Sequence, residues 1–148
     1  MAGFTLIEMM TVMILMLLIT TASVVSWNNV KRGKELNAAV NDVRSSLSLA
    51  RQYAVLKRVE IMVNIISNQV YYITNNTGVG LVRGMPQELP LGAQFTNTIP
   101  TGGLKITFKP SGSLLNNQTI TLGLRDVNNA GMNAALRING LTGMIDYE

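Results

Sequence analysis

Apolar residues follow three different rules along this chain. Over residues 4–27 nearly every position is apolar, small or hydroxylated, with one carboxylate, Glu8, inside the run. Residues 9–27 are uncharged, and these 19 positions would rise roughly 28 Å as a helix, about one hydrocarbon core. After Trp27 the pattern becomes one-sided: Leu36, Ala39, Val40, Val43, Leu47, Ala50 and Ala54 recur at steps of three and four, with charged and amide residues between them. From Val59 the period drops to two, which predicts strands over 59–66, 69–74, 93–99, 104–109, 119–125, 134–139 and 144–147.

These patterns predict an α+β chain: a long N-terminal hydrophobic then amphipathic helix packed on a small antiparallel β domain. The expected parts are a short leader at 1–3, a membrane or assembly half of the helix at 4–27, an amphipathic half at 28–57, and a β-rich domain at 58–148. Ser67-Asn68-Gln69 and Asn139-Gly140 read as turns, the second as a hairpin turn. Residues 75–103 carry six Gly and three Pro, and are expected to connect two small sheets.

Composition narrows the chemistry. The 148 residues contain neither Cys nor His, which removes disulfides, thiolate catalysis and the commonest zinc ligands. No Ser or Thr has an imidazole base available for a triad, and no Gly-rich stretch has the lysine of a phosphate loop. No enzyme, cofactor or metal is therefore expected. Asp126–Gly131, DVNNAG, begins like a calcium loop, but Ala130 stands where a ligand belongs and Arg137 where the closing carboxylate would be. A plain turn is the better reading.

The lone acid is the informative residue. A charge inside hydrocarbon costs about 2.5–3.5 kcal/mol on insertion scales, and such groups usually pair or mark function. A secretory signal peptide fits poorly, because the apolar run is too long and no basic residue precedes it. A plain membrane anchor fits the length and leaves Glu8 unexplained.

The segment Gly3-Phe4-Thr5-Leu6-Ile7-Glu8, followed by that apolar run, resembles the prepilin motif of type IV pilins and type II secretion pseudopilins. The resemblance implies cleavage between Gly3 and Phe4 by a membrane prepilin peptidase, and methylation of the new Phe4 amine. It also implies pairing of Glu8 with the amine of a neighbouring subunit. The leader Met-Ala-Gly lacks the usual basic residues, and Lys31, Arg32 and Lys34 lie on the far side of the run, so either a true start upstream of Met1 or a shortened form of the precursor is expected. No Pro precedes Pro86, which suits a minor rather than a major pilin.

Further along, Ala50-Arg51 with Lys57-Arg58, the run FKPSGSL around Gly112, and LRINGLTGMI over 136–145 resemble GspH/FimT-type minor pilins and pseudopilins. The implied life history begins in the bacterial inner membrane, single-pass, with the globular domain periplasmic and lipid around the first helix half. Incorporation into a pilus or pseudopilus follows. Other subunits, the peptidase and methyltransferase, and an inner-membrane assembly platform are the implied partners. The competing class is a single-pass, membrane-anchored binding protein that never polymerises.

DNA is the remaining candidate partner, because some minor pilins of this kind bind it. All twelve Lys and Arg and seven of the eight acids lie from Lys31 onward, leaving that part at +5. Lys105, Lys109, Arg125 and Arg137 are the candidate phosphate contacts, since such contact needs only clustered cations. The closing turn, NGLTGMIDYE, has no Lys or Arg at all.

Overall fold

The computed structural model describes residues 5–75, 85–90, 92–129 and 131–148, with α1 side chains at positions 6–21 and 34–57. Helix α1 runs Leu6–Lys57. The strands are β1 (Ile61–Ile65), β2 (Val70–Asn75), β3 (Gln87–Glu88), β4 (Ala93–Phe95), β5 (Leu104–Phe108), β6 (Ile120–Asp126), β7 (Asn133–Ile138) and β8 (Ile145–Tyr147). The chain divides into two compact units, 1–34 and 35–148, with the boundary inside α1.

In the first unit the helix presents large apolar side chains to the outside at every described turn, from Leu6 (79% exposed) to Ile19 (66%). Thr5 caps it. Its carbonyl accepts the N–H of Met9, and its Oγ1 lies 3.4 Å from the Glu8 nitrogen. Thr11, Thr20 and Thr21 turn their hydroxyls back to helix carbonyls, so their polarity is absorbed within the helix. Among the described residues no helix is long and apolar enough to cross a membrane. The described side chains of the apolar run end at Thr21; those of 22–27 lie outside the description.

In the second unit the helical period becomes burial. Leu36, Ala39, Val40, Val43, Leu47, Ala50 and Ala54 are all buried, and they share one core with both sheets. Three of the seven are alanines, which bring the helix backbone close to the sheets. The first sheet has strand order β3-β2-β1-β5 and the second β4-β6-β7-β8; every pairing is antiparallel. Alternation decides the inner faces: Ile61, Val63 and Ile65 on β1, and Leu122 and Leu124 on β6.

All seven strands expected from the period-two pattern are present, several shorter than expected. The additional strand is β3, only two residues between Pro86 and Pro90, held to β2 by register with Val70 and Tyr71. Two residues cannot display a period, and flanking prolines argue against a strand. The Gly- and Pro-rich stretch is not a simple link from one sheet to the other: the chain passes from the first sheet to the second between β3 and β4 and returns to the first at β5, so the stretch begins and ends on the same sheet; residues 76–84 lie outside the description.

The Asn139-Gly140 reading needs correcting in detail. The β7–β8 connection is not a two-residue turn. Asn139 Oδ1 accepts the N–H groups of Leu141 and Thr142, and Gly143 closes the loop at φ 65°. Gly140 is required for space instead: a Cβ there would strike the Asn117 backbone, while its carbonyl accepts from Leu114.

Candidate functional site

Gly3 and Phe4, the expected cleavage and methylation positions, lie outside the described residues. Glu8 is described. It is exposed, it sits in the first turn of α1, and its carboxylate makes no hydrogen bond or ion pair among the described residues. An acid in that turn complements the helix macrodipole. The spacing Thr5-Leu6-Ile7-Glu8 is also that of a capping box, with the Thr5 hydroxyl toward the Glu8 N–H. The Glu8 carboxylate, which makes no such bond among the described residues, keeps its oxygens available, so a macrodipole role in the first turn is compatible with pairing.

The motif segments of the globular unit converge on one side chain. Arg51, on α1, donates from Nε to the Gly112 carbonyl (3.2 Å) and from Nη2 to the Thr142 carbonyl (3.0 Å). It thereby ties the helix to the β5–β6 turn and the β7–β8 turn together. Gly112 (φ 84°) and Gly143 (φ 65°) both adopt the left-handed region. A Cβ on Gly143 would overlap the Gly112 carbonyl oxygen, so the two turns stack where only glycine fits. Ala50, beside Arg51, is wholly buried. Lys57 ends the helix, and Arg58 follows at φ 54°, a left-handed helix stop made without glycine.

A second tie joins helix to sheet. The Tyr71 hydroxyl on β2 donates to Asp42 Oδ2 (2.8 Å) and lies 2.9 Å from Ser46 Oγ. With the tyrosine proton on Asp42, Ser46 is the donor. The Tyr71 ring meets Phe95 of the other sheet edge-on, with centroids 6.2 Å apart. Nothing in the periodicity singled out Ser46 or Asp42; a buried serine on the core face was the available signal.

The four candidate DNA contacts divide between the sheets. Lys105 lies on β5, and Lys109, just after it, donates to Asn117 Oδ1. Arg125 and Arg137 lie on β6 and β7 of the other sheet, opposite Asn133 and Thr121, about 13 Å apart along the ladder. Arg137 pairs with Glu148 at 3.4 Å. In the segment starting at Asp126, the acid's Oδ1 accepts the Asn128 N–H and Asn129 Oδ1 accepts the Gly131 N–H, so both side chains serve the turn. No group of three acidic residues that could hold a metal ion occurs among the described residues.

Comparison with known proteins supplies the family. No curated protein matches the sequence. A crystal structure of the type IV minor pilin FimU of Pseudomonas aeruginosa PAO1 is similar, with TM-score 0.64 and 18% identity, covering 78% of this chain and 89% of that one. The structure of the minor pseudopilin EpsH from the type 2 secretion system of Vibrio cholerae is similar too, with TM-score 0.60 and 14% identity, covering 77% and 96%. At such identities the likeness establishes the pilin-like α+β fold. The sequence pattern of the family described as Type II transport protein GspH matches residues 39–142, a span that includes Arg51, Gly112 and Thr142, and the chain belongs to that family of minor pilin and pseudopilin type.

Proposed function

We propose that this protein is a non-enzymatic minor pilin or pseudopilin subunit that is built into a type IV pilus or a type II secretion pseudopilus and assists its assembly. One observation carries the reading. From Leu6 to Ile19 the helix is apolar on all sides, and its large side chains are exposed within their own unit. A helix apolar all round requires an apolar surrounding, which is lipid before assembly and neighbouring helices after it. Family membership supports other pilin-type subunits as the partners.

On this reading residues 4–27 hold the subunit in the inner membrane with the 35–148 unit outside the cytoplasm. The prepilin peptidase cuts between Gly3 and Phe4, the Phe4 amine is methylated, and the assembly platform passes the helix from lipid into the filament. Both surroundings are apolar, so burial supplies little preference for one over the other. Selectivity then falls to packing and to Glu8, which meets the Phe4 amine of a neighbour. Intact mass with N-terminal fragmentation, on protein from its native membrane, tests the proposal. A chain beginning at Phe4 is expected. A chain still beginning at Met1 or upstream of it, in cells with an active prepilin peptidase, supports a plain anchored binding protein instead.

A further inference from the structure

The second sheet ends on an open edge. β8 pairs with β7 on one side and, among the described residues, has no strand on the other. The Met144 carbonyl accepts from Asn139 and the Glu148 N–H donates to Ala135, so the even-numbered residues bond inward to β7. Ile145 and Tyr147 therefore turn their N–H and C=O groups to the open side. Beside that edge runs α1, and between them lie two adjoining hollows that share Arg44. One, of about 320 Å³, is lined by Asn41, Arg44 and Tyr147; the other, of about 190 Å³, by Arg44, Arg51 and Ile145.

Edge strands in soluble units are usually blunted by Lys, Pro, bulges or a covering segment. This one is three residues long and carries one acid, Asp146, on the face away from Ile145 and Tyr147; among the described residues it has no Lys, Pro or bulge, and Met144, Tyr147 (56% exposed) and the nearby Leu141 leave apolar surface around it. The charge of the hollow is one-signed. Arg44 has no hydrogen bond or ion pair among the described residues, and Arg51 spends its Nε and Nη2 on the two carbonyls. The acids of β8 are on the other face: Glu148 meets Arg137, and Asp146 alternates away from Ile145 and Tyr147.

We propose that the β8 edge is a docking site for an extended segment of another protein that alternates apolar and acidic residues. The segment adds as a fifth strand to the second sheet. Its backbone pairs with Ile145 and Tyr147, and every second side chain faces α1, where a carboxylate meets Arg44. The site stands independently of processing and anchoring, because every residue it uses lies within 35–148.

The test uses the full chain in lipid nanodiscs with two six-residue probes, one alternating valine with glutamate and one alternating valine with lysine. Fluorescence anisotropy of labelled peptide and hydrogen exchange of the protein are the readouts. The glutamate probe is expected to bind, to slow exchange at the Ile145 and Tyr147 amides, and to outbind the lysine probe by at least about tenfold. Arg44→Glu should reverse that preference. Tyr147→Pro removes an outward N–H without touching the bonds to β7, and should abolish protection while the fold persists. Absence of binding by both probes overturns the proposal, as does binding that is indifferent to Arg44→Glu and Tyr147→Pro. Protection of the same amides by self-association, without peptide, also overturns it and assigns the edge to a second copy.

Discussion

The two halves of α1 share a backbone and obey opposite rules. In the first, Leu, Ile and Met occupy every face and stay exposed; in the second, a stripe from Leu36 to Ala54 is buried and the other face is polar. The second half finds its apolar partner within its own chain, and the strands supply it. For the first half the partner must come from outside. Helical propensity does not distinguish the halves, since both are rich in good helix formers. The distribution of apolar residues around the axis does, and it separates an element that folds against its own chain from one that, on the proposed function, assembles with others.

The sharpest way to break that comparison is Glu8→Ala. In lipid an unpaired Glu8 costs about 2.5–3.5 kcal/mol; pairing in the filament would recover much of it, giving assembly a gain that alanine lacks. Incorporation into filaments should fall about 100-fold, read by quantifying the subunit in sheared filaments against the membrane pool. Membrane insertion and the unfolding transition of the 35–148 unit should not change. Normal incorporation of the variant would remove the pairing role and leave Glu8 only as a first-turn acid that complements the helix macrodipole.

Next in size is a matched pair of truncations. Leu47 is 1% exposed at the centre of the buried stripe, and Leu47→Ala should destabilise the globular unit by about 2–5 kcal/mol. Met13→Ala, in the exposed half, should leave that stability unchanged. Thermal unfolding of both variants in detergent, followed by near-ultraviolet circular dichroism, separates them. Equal losses would mean that the halves fold as one cooperative element.

Arg51 gives a smaller and more specific effect. Arg51→Ala releases two carbonyls and two glycine turns, at an expected cost of about 1–3 kcal/mol. Arg51→Lys should recover little of it, because an ammonium cannot present the planar fork that reaches Gly112 and Thr142 together. Faster hydrogen exchange at both turns in each variant is the confirming readout; full rescue by lysine would reduce Arg51 to a point charge.

The same contrast explains what the sequence disclosed. Period and polarity are properties of single elements, so the helix stripe and the seven longer strands were legible residue by residue. The GFTLIE segment and the Arg51, Gly112 and 136–145 segments were legible as a resemblance. Contacts that join elements were not. That Arg51 reaches Gly112 and Thr142 depends on where two turns arrive, 61 and 91 residues later. Tyr71 reaching Asp42 and Ser46 is the same kind of fact. Gly140 follows Asn139 as in a hairpin turn, yet it is required by the neighbouring Asn117 backbone, a need that in sequence looks the same as a need for positive φ. The two-residue β3 displays no pattern at all.

The smallest expected effect concerns the end of the buried half. Arg58 sits at φ 54°, where an L-residue costs about 1–2 kcal/mol because its Cβ crowds the following carbonyl. Glycine removes that clash and adds about 0.5–1 kcal/mol of backbone entropy lost on folding. The difference favours Arg58→Gly by roughly 0.5–1 kcal/mol, or a rise of about 2–4 °C in the unfolding midpoint of the 35–148 unit. Against it stands the attraction of a cation to the carboxyl end of the helix, about 0.3–1 kcal/mol. Lys57, in the last turn, keeps one such charge in the variant, so the loss should lie at the low end of that range. A raised midpoint therefore means that the stop is set by backbone strain tolerated in the arginine. An unchanged or lowered one means that the Arg58 charge holds the helix end. The stop would then be electrostatic, in contrast with the capped first turn at Thr5.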